Sequence, residues 1–193
     1  MRALILDGGD AGDARTACAA EALAAELTAT GYEVERELLR ERDIRACRGC
    51  FNCWIRTPGE CVIRDDAADI LRRYIGSDVV AYVTPVTFGG YAATLKMMVD
   101  RVIPLIDPRF TRVRGEYHHR VRYERYPQLV GFGTLPAPDA EAEASFVELL
   151  RRNGLNIHAD APAVVLTGDP DPAAARAAAA RLLAASTTKE VAA

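Results

Sequence analysis

Apolar residues fall in short runs, separated by longer stretches in which they recur at helical spacing. Residues 2–6 form one such run, closed by Asp7-Gly8-Gly9, which predicts a buried parallel strand feeding a glycine turn. Residues 14–30 are rich in Ala, Leu and Glu and stop at Gly31, a helix with a glycine behind it. Residues 32–39 alternate loosely and give a weaker strand, interrupted by Glu33, Glu35, Arg36 and Glu37. A helix is predicted over 66–74. The strongest strand signal covers 78–84, apolar and β-branched, and is expected to end at Pro85, which cannot donate to a sheet ladder. Residues 91–102 place Leu95, Met98, Val99 and Val102 on one helical face.

The second half repeats the alternation. A short strand is predicted at 129–132, leading to a glycine loop over 131–135, then a helix at 140–152 closed by Asn153-Gly154. A strand follows at 163–167. Asp171 caps a last helix with Pro172 in its first turn, running to about Leu183, and residues 187–193 are expected to fray. Strands alternating with helices define an α/β fold with a doubly wound parallel sheet of five strands. One domain over residues 1–187 accommodates them. Two features fit this order poorly: the weak second strand and the long insertion at 107–127, while the cysteine-rich segment at 47–61 is expected as a structured loop.

Ligands of such sheets sit beyond the carboxyl ends of the strands, near the point where strand order reverses. Three glycine-bearing loops, 8–13, 84–90 and 131–135, leave those ends. Glycine lets backbone amides approach an anion, and Arg15 and Thr16 open the first helix where a phosphate could lie. The first loop has neither a Walker phosphate loop nor the GxGxxG spacing.

Composition narrows the function classes. The chain has 193 residues, 50% hydrophobic and 26% charged, with a formal charge of −3. That balance offers no basic field for nucleic acid, and no apolar run reaches the ~18 residues of a membrane helix. The N-terminus carries too few apolar residues for a signal peptide, so a cytoplasmic location is expected.

Four of the five cysteines lie in the pattern Cys47-x2-Cys50-x2-Cys53-x7-Cys61. In a reducing compartment such clustering indicates metal or redox chemistry rather than staples. The C-x2-C-x2-C core matches bacterial [4Fe–4S] motifs better than paired-cysteine zinc sites. A cluster-free structural loop, zinc or a redox disulfide remain alternatives. Cys18, inside the first helix, is expected in the core.

The insertion holds six arginines against three acids, with Tyr117, His118, His119, Tyr123 and Tyr126 among them. It suits a hairpin arm. Its His119, Arg120 and Arg122 are candidates either for an NADPH phosphate or acidic substrate, or for contacts across a dimer. Adjacent His118 and His119 face opposite ways on an extended segment, so they do not form a metal pair.

At Thr84-Pro85-Val86-Thr87-Phe88-Gly89-Gly90-Tyr91, followed by Leu95-Lys96 and Asp100-Arg101, the chain resembles the NAD(P)H-dependent FMN reductase family. The cysteine loop before Asp65 and Asp66 places the resemblance nearest the iron–sulfur flavoprotein-like branch. The resemblance implies a flavodoxin-like three-layer α/β/α fold with strand order 2-1-3-4-5. It implies FMN as cofactor and NAD(P)H as electron donor. A quinone, a flavin, another small-molecule acceptor or a redox protein would receive the electrons, in a homodimer or homotetramer. The flavin would lie on Gly8, Gly9, Arg15, Thr16, Thr84, Pro85, Val86, Thr87, Phe88, Gly89, Gly90, Gly131 and Gly133, with no catalytic side chain required. Lys96 and Asp100-Arg101 would be structural, the latter pair at subunit contacts. Electron carriage through a [4Fe–4S] cluster on Cys47, Cys50, Cys53 and Cys61 is the alternative, as is a flavin-free binding protein. The first loop departs from the family, with Asp10 and Asp13 where Ser and often Arg are usual, and Thr87 stands where tyrosine is common.

Overall fold

The computed structural model describes residues 1–186, and the expectation that 187–193 fray lies outside them. Five parallel strands form the main sheet: β1 (Arg2–Asp7), β2 (Glu33–Leu38), β3 (Val79–Thr87), β7 (Gln128–Leu135) and β8 (Ala163–Thr167). Their order, β2-β1-β3-β7-β8, is the predicted 2-1-3-4-5. Helices α1 (Ala14–Ala29) and α6 (Pro172–Ser186) cover one face through Ala19, Leu23, Leu27, Ala178 and Leu182. On the other face lie α3 (Ala67–Gly76), α4 (Ala93–Asp100) and α5 (Ala140–Asn156), which bury Ile70, Tyr74, Leu95, Met98, Phe146 and Leu150. The strand order reverses between β1 and β3.

The weak β2 signal has a physical cause. β2 is an edge strand paired only with β1, so half of its residues need no apolar partner. Its charges are engaged instead. Arg36 binds Asp7 at 2.6 Å, and the fully buried Glu37 is gripped by Arg73 at 2.6 Å and by Arg42.

Several expectations need correction. Pro85 does not end β3, which continues to Thr87. Pro85 pairs in register with Thr134, and beyond it Val86 and Thr87 turn back on the short antiparallel strand β4 (Gly90–Tyr91). Tyr91 therefore belongs to a strand, and α4 starts at Ala93. Gly131 and Gly133 are not in a loop. Both lie inside β7, where a Cβ at Gly131 would sit 2.3 Å from Leu150 Cδ2 and one at Gly133 would sit 2.7 Å from Val86 Cγ2. Glycine is needed there for close packing against α5 and the neighbouring strands. Gly154 works the same way. It lies within α5 rather than ending it, because a Cβ would come within 2.7 Å of Ala161 Cβ.

The insertion is a hairpin, as expected: β5 (Ile106–Val113) pairs with β6 (Glu116–Val121) as a separate two-stranded sheet. Its turn uses Arg114 (φ 50°) and Gly115 (φ 86°). Cys18 is half-buried on α1 rather than a core residue. No described helix is long and apolar enough to cross a membrane.

Candidate functional site

The first and second loops meet at the carboxyl ends of β1 and β3. The Gly8 N–H donates to Val83 O at 2.8 Å, and a Cβ at Gly8 would lie 2.7 Å from Leu95 Cβ, so glycine is required for the first loop to pass under α4. Thr84 is buried and ties β3 to the start of α4, its hydroxyl accepting from the Ala92 N–H at 3.1 Å. The end of β7 joins them through Thr134, whose hydroxyl lies 2.9 Å from that of the buried Thr16 at the start of α1. Gly8, Gly9, Thr16 and Thr84 are thus brought together, with Thr134 beside them. Gly131 is not among them, because it lies mid-strand under Leu150.

The second loop is a two-residue hairpin turn. Thr87 pairs with Gly90, and the intervening Phe88 and Gly89 have φ values of 50° and 71°. Two positive φ values mark a type I′ turn, which prefers Asn-Gly. A phenylalanine in this conformation is strained, and its ring is fully exposed. Phe88 overhangs a cavity of about 280 Å3 that is also lined by Gly89, Asp139, Ala142 and Ser145 at the start of α5. Replacing Phe88 by Asn is expected to raise stability by about 0.5–1 kcal/mol through relief of the left-handed strain. Thermal melting checks the gain.

The core beneath is aromatic. Tyr82 stacks edge-on with Tyr91 (5.8 Å), and Tyr91 edge-on with Phe146 (5.9 Å). Tyr74 and Tyr82 share a hydroxyl contact at 3.1 Å, and burial pushes the Tyr74 phenol up to about 12. These phenols are neutral scaffold.

The cysteine loop packs elsewhere. Trp54, within the single helical turn α2 (Asn52–Ile55), donates its indole N–H to the carbonyls of Ile103 and Ile106, both at 3.1 Å. Phe51, Trp54, His119 and Phe110 form a ladder of ring contacts of 4.8–5.1 Å from the loop to the hairpin. Cys47 and Cys50 are exposed, Cys61 is half-buried and Cys53 is buried. Burial pushes the Cys53 thiol up, and Cys61, Cys47 and Cys50 push it further. Among the described residues no three His, Cys, Asp or Glu side chains converge to hold a metal ion. The four thiols are neighbours without an assembled ligand geometry.

Of the arm residues, His119 and Arg122 face the protomer. His119 Nδ1 contacts Asp107 O at 2.8 Å, and the Arg122 guanidinium reaches Ile106 O at 3.2 Å. Arg120, the third candidate on the arm, is exposed.

Sequence reading missed the ion pair between Asp65 and Arg101. Both side chains are fully buried, with contacts of 2.6 and 3.0 Å. Arg101 also donates to Arg45 O at 2.7 Å, which clips the far end of the cysteine loop to the end of α4. Arg101 thus has a structural role, as expected, but inside the protomer. The Asp-Arg spacing of 36 residues carries no local signal that could have revealed it. The capping role of Asp13 was also missed, although Asp directly before an alanine-rich helix is a pattern that points to an N-cap.

Residues 1–121 match the family of NADPH-dependent FMN reductases, a stretch that contains the first two loops and the cysteine motif. The chain belongs to the NADPH-dependent FMN reductase family. Within it, this reductase-family chain is 37% identical over 79 residues to an iron–sulfur flavoprotein of Archaeoglobus fulgidus, covering 41% of this chain and 35% of that one. The chain therefore spans about a third of that curated relative. Two solved structures share the fold of this family member. An NAD(P)H:quinone oxidoreductase from Methanothermobacter marburgensis has a TM-score of 0.68 at 18% identity, over 96% of this chain and 95% of that one. An FMN-dependent NADH-azoreductase from Bacillus anthracis, solved with FMN, has a TM-score of 0.62 at 14% identity, over 96% and 97%.

Proposed function

We propose that this chain is a flavin-dependent oxidoreductase that uses NAD(P)H to reduce a quinone, a flavin or a related small acceptor, working as a homodimer or homotetramer. The observation that carries this reading is the meeting of Gly8–Thr16, Thr84–Gly90 and Thr134 at the strand-order reversal, the place where open α/β sheets take ligands. When bound, the flavin supplies the redox chemistry itself. The chain's own part is to position and shield. The turn at Pro85–Gly90 forms a wall, Phe88 overhangs it, and the buried tyrosines offer no competing acid or base. On this reading the loops at 8–16 and 84–90 would border the flavin, and the seat of its phosphate is treated below. Arg120 is an exposed arm residue that could meet an acceptor or NADPH.

The test is an anaerobic titration of the purified chain with flavin, followed by NADPH or NADH. Quenching of flavin fluorescence on binding, then bleaching of the absorption near ~450 nm by the nicotinamide and its return on adding a quinone, are the expected results. No flavin uptake would sink the reading. Binding without bleaching would leave an electron carrier reduced by another protein.

A second reading rests on the Cys47, Cys50, Cys53, Cys61 spacing and the partial likeness to an iron–sulfur flavoprotein. In it the chain carries electrons through a [4Fe–4S] cluster. As placed, no three of these thiols converge on a metal position, and no step is assigned to a cluster. About four irons per chain in anaerobically prepared protein, lost in Cys53→Ala, would establish it.

A further inference from the structure

In this fold the first turn of α1 is where a flavin's phosphate would be expected to sit, because helix N-termini favour anions. Here a carboxylate of the chain already fills it. Asp13 caps the helix, with Oδ1 accepting from the Thr16 N–H at 3.2 Å and Oδ2 from the Thr16 hydroxyl at 2.6 Å. Thr16 is fully buried, and its hydroxyl is shared with Thr134 at 2.9 Å, so it is not open to a ligand. Three neighbouring backbone donors are engaged as well. The Gly9 N–H donates to Asp7 Oδ1 at 2.8 Å, the Gly8 N–H to Val83 O at 2.8 Å and the Asp13 N–H to Asp10 O at 3.1 Å.

Cations do not restore the balance. Arg36 is held on Asp7 through Nε and Nη2 at 2.9 and 2.6 Å, and Arg40 reaches the Gly9 carbonyl at 3.3 Å. Within residues 7–16 there are three aspartates and one arginine, Arg15. A dianionic phosphate placed on this turn would have to displace Asp13 from two hydrogen bonds and sit beside its charge.

The geometry points to a flavin site without a phosphate clamp: Asp13 takes the place of the phosphate, and the site accepts riboflavin, with its uncharged ribityl end, as well as or better than FMN. The inference rests on the flavin reading above and concerns only the tail of the ligand. Asp13 is a specificity determinant under it, and the ring loops are unaffected.

The experiment compares Kd for riboflavin and for FMN by fluorescence quenching, at one salt concentration, for the wild-type chain and Asp13→Asn. Asparagine is a good N-cap, so the variant keeps its helix start while losing the charge, and a circular dichroism melt confirms that it is folded. Expected for the wild type is a riboflavin Kd no more than threefold weaker than that of FMN. Expected for Asp13→Asn is FMN binding tightened at least fivefold, with riboflavin changed less than twofold. Wild-type preference for FMN by tenfold or more would overturn the inference and leave the flavin reading intact. Equal wild-type affinities with no FMN gain in Asp13→Asn would remove Asp13 from the account. Failure of both flavins to bind would instead remove the flavin reading itself.

Discussion

Arg101→Ala lowers stability by about 3–5 kcal/mol, the loss expected when one partner of a buried ion pair is removed. Asp65 would be left fully buried with its main counter-charge gone, and the Arg45 carbonyl would lose its donor. Asp65→Ala should cost a similar amount, because Arg101 is then stranded at 0% side-chain exposure. The double replacement Asp65→Leu with Arg101→Met should recover much of either loss, since paired apolar groups desolvate nothing charged. Urea unfolding of the four proteins checks this, and equal losses in all three variants would show that packing rather than charge is at stake.

The pair also predicts a pH dependence. Burial alone would raise the Asp65 carboxyl, but the hydrogen bonds from Arg101 and from the Arg45 amide outweigh it and hold it below the usual carboxylate range. The folded pKa is therefore lower than the unfolded value of about 3.9. The stabilisation is fully present above that unfolded value and is lost as pH falls through the folded one. Removing Arg101 leaves only the Arg45 and Ala67 amides to oppose burial, so the Asp65 carboxyl rises. The stability gap between wild type and Arg101→Ala should therefore narrow below about pH 4.

Phe146→Ala is expected to cost about 3–5 kcal/mol, which for a chain of this length lowers Tm by roughly 10 °C. Phe146 is 0% exposed, stacks on Tyr91, and lies beneath Gly133, where a built Cβ would be 3.0 Å from its ring. The cavity left by its removal would open under the β3–β4 turn, so the variant should bind flavin more weakly even well below its Tm. Differential scanning calorimetry and the flavin titration, run together, separate the two effects. An intact Tm would mean that the surrounding core collapses into the space.

The central strands and the long helices were legible because periodicity and burial agree there. β1, for example, is buried from Ala3 to Asp7 and flanked on both sides, so its apolar run has one interpretation. The hairpin arm was legible from the alternation of His119, Val121 and Tyr123 with Arg120 and Arg122. Legibility failed where a residue answers to a distant neighbour. Gly131 and Gly133 resemble a loop in sequence because their reason for being glycine is Leu150, Val86 and Phe146 from other elements. Pro85 resembles a terminator because its missing N–H matters only where a ladder needs it, and here the strand pairs through it to Thr134. In the site, the acidic first loop was visible as a departure from the family. That Asp13 turns inward onto Thr16, rather than away from the helix, required the geometry. Arg122 and His119 look like ligands for anions in an arginine-rich stretch, yet backbone carbonyls of their own hairpin hold both.

The hairpin interrupts the connection between β3 and β7, two strands that lie side by side. A long connection raises the entropy cost of bringing its ends together, by about 0.6 kcal/mol for each doubling. Here the excursion is folded back on itself. β5 pairs with β6, Tyr126 returns to the carbonyl of Leu105, and Arg125 fastens to Asp78 at 2.7 Å, beside the first residue of β3. A hairpin closes in microseconds. The chain can therefore shorten its own tether before β7 searches for β3, and the slow step of assembling a parallel sheet begins with the two central strands already held near each other.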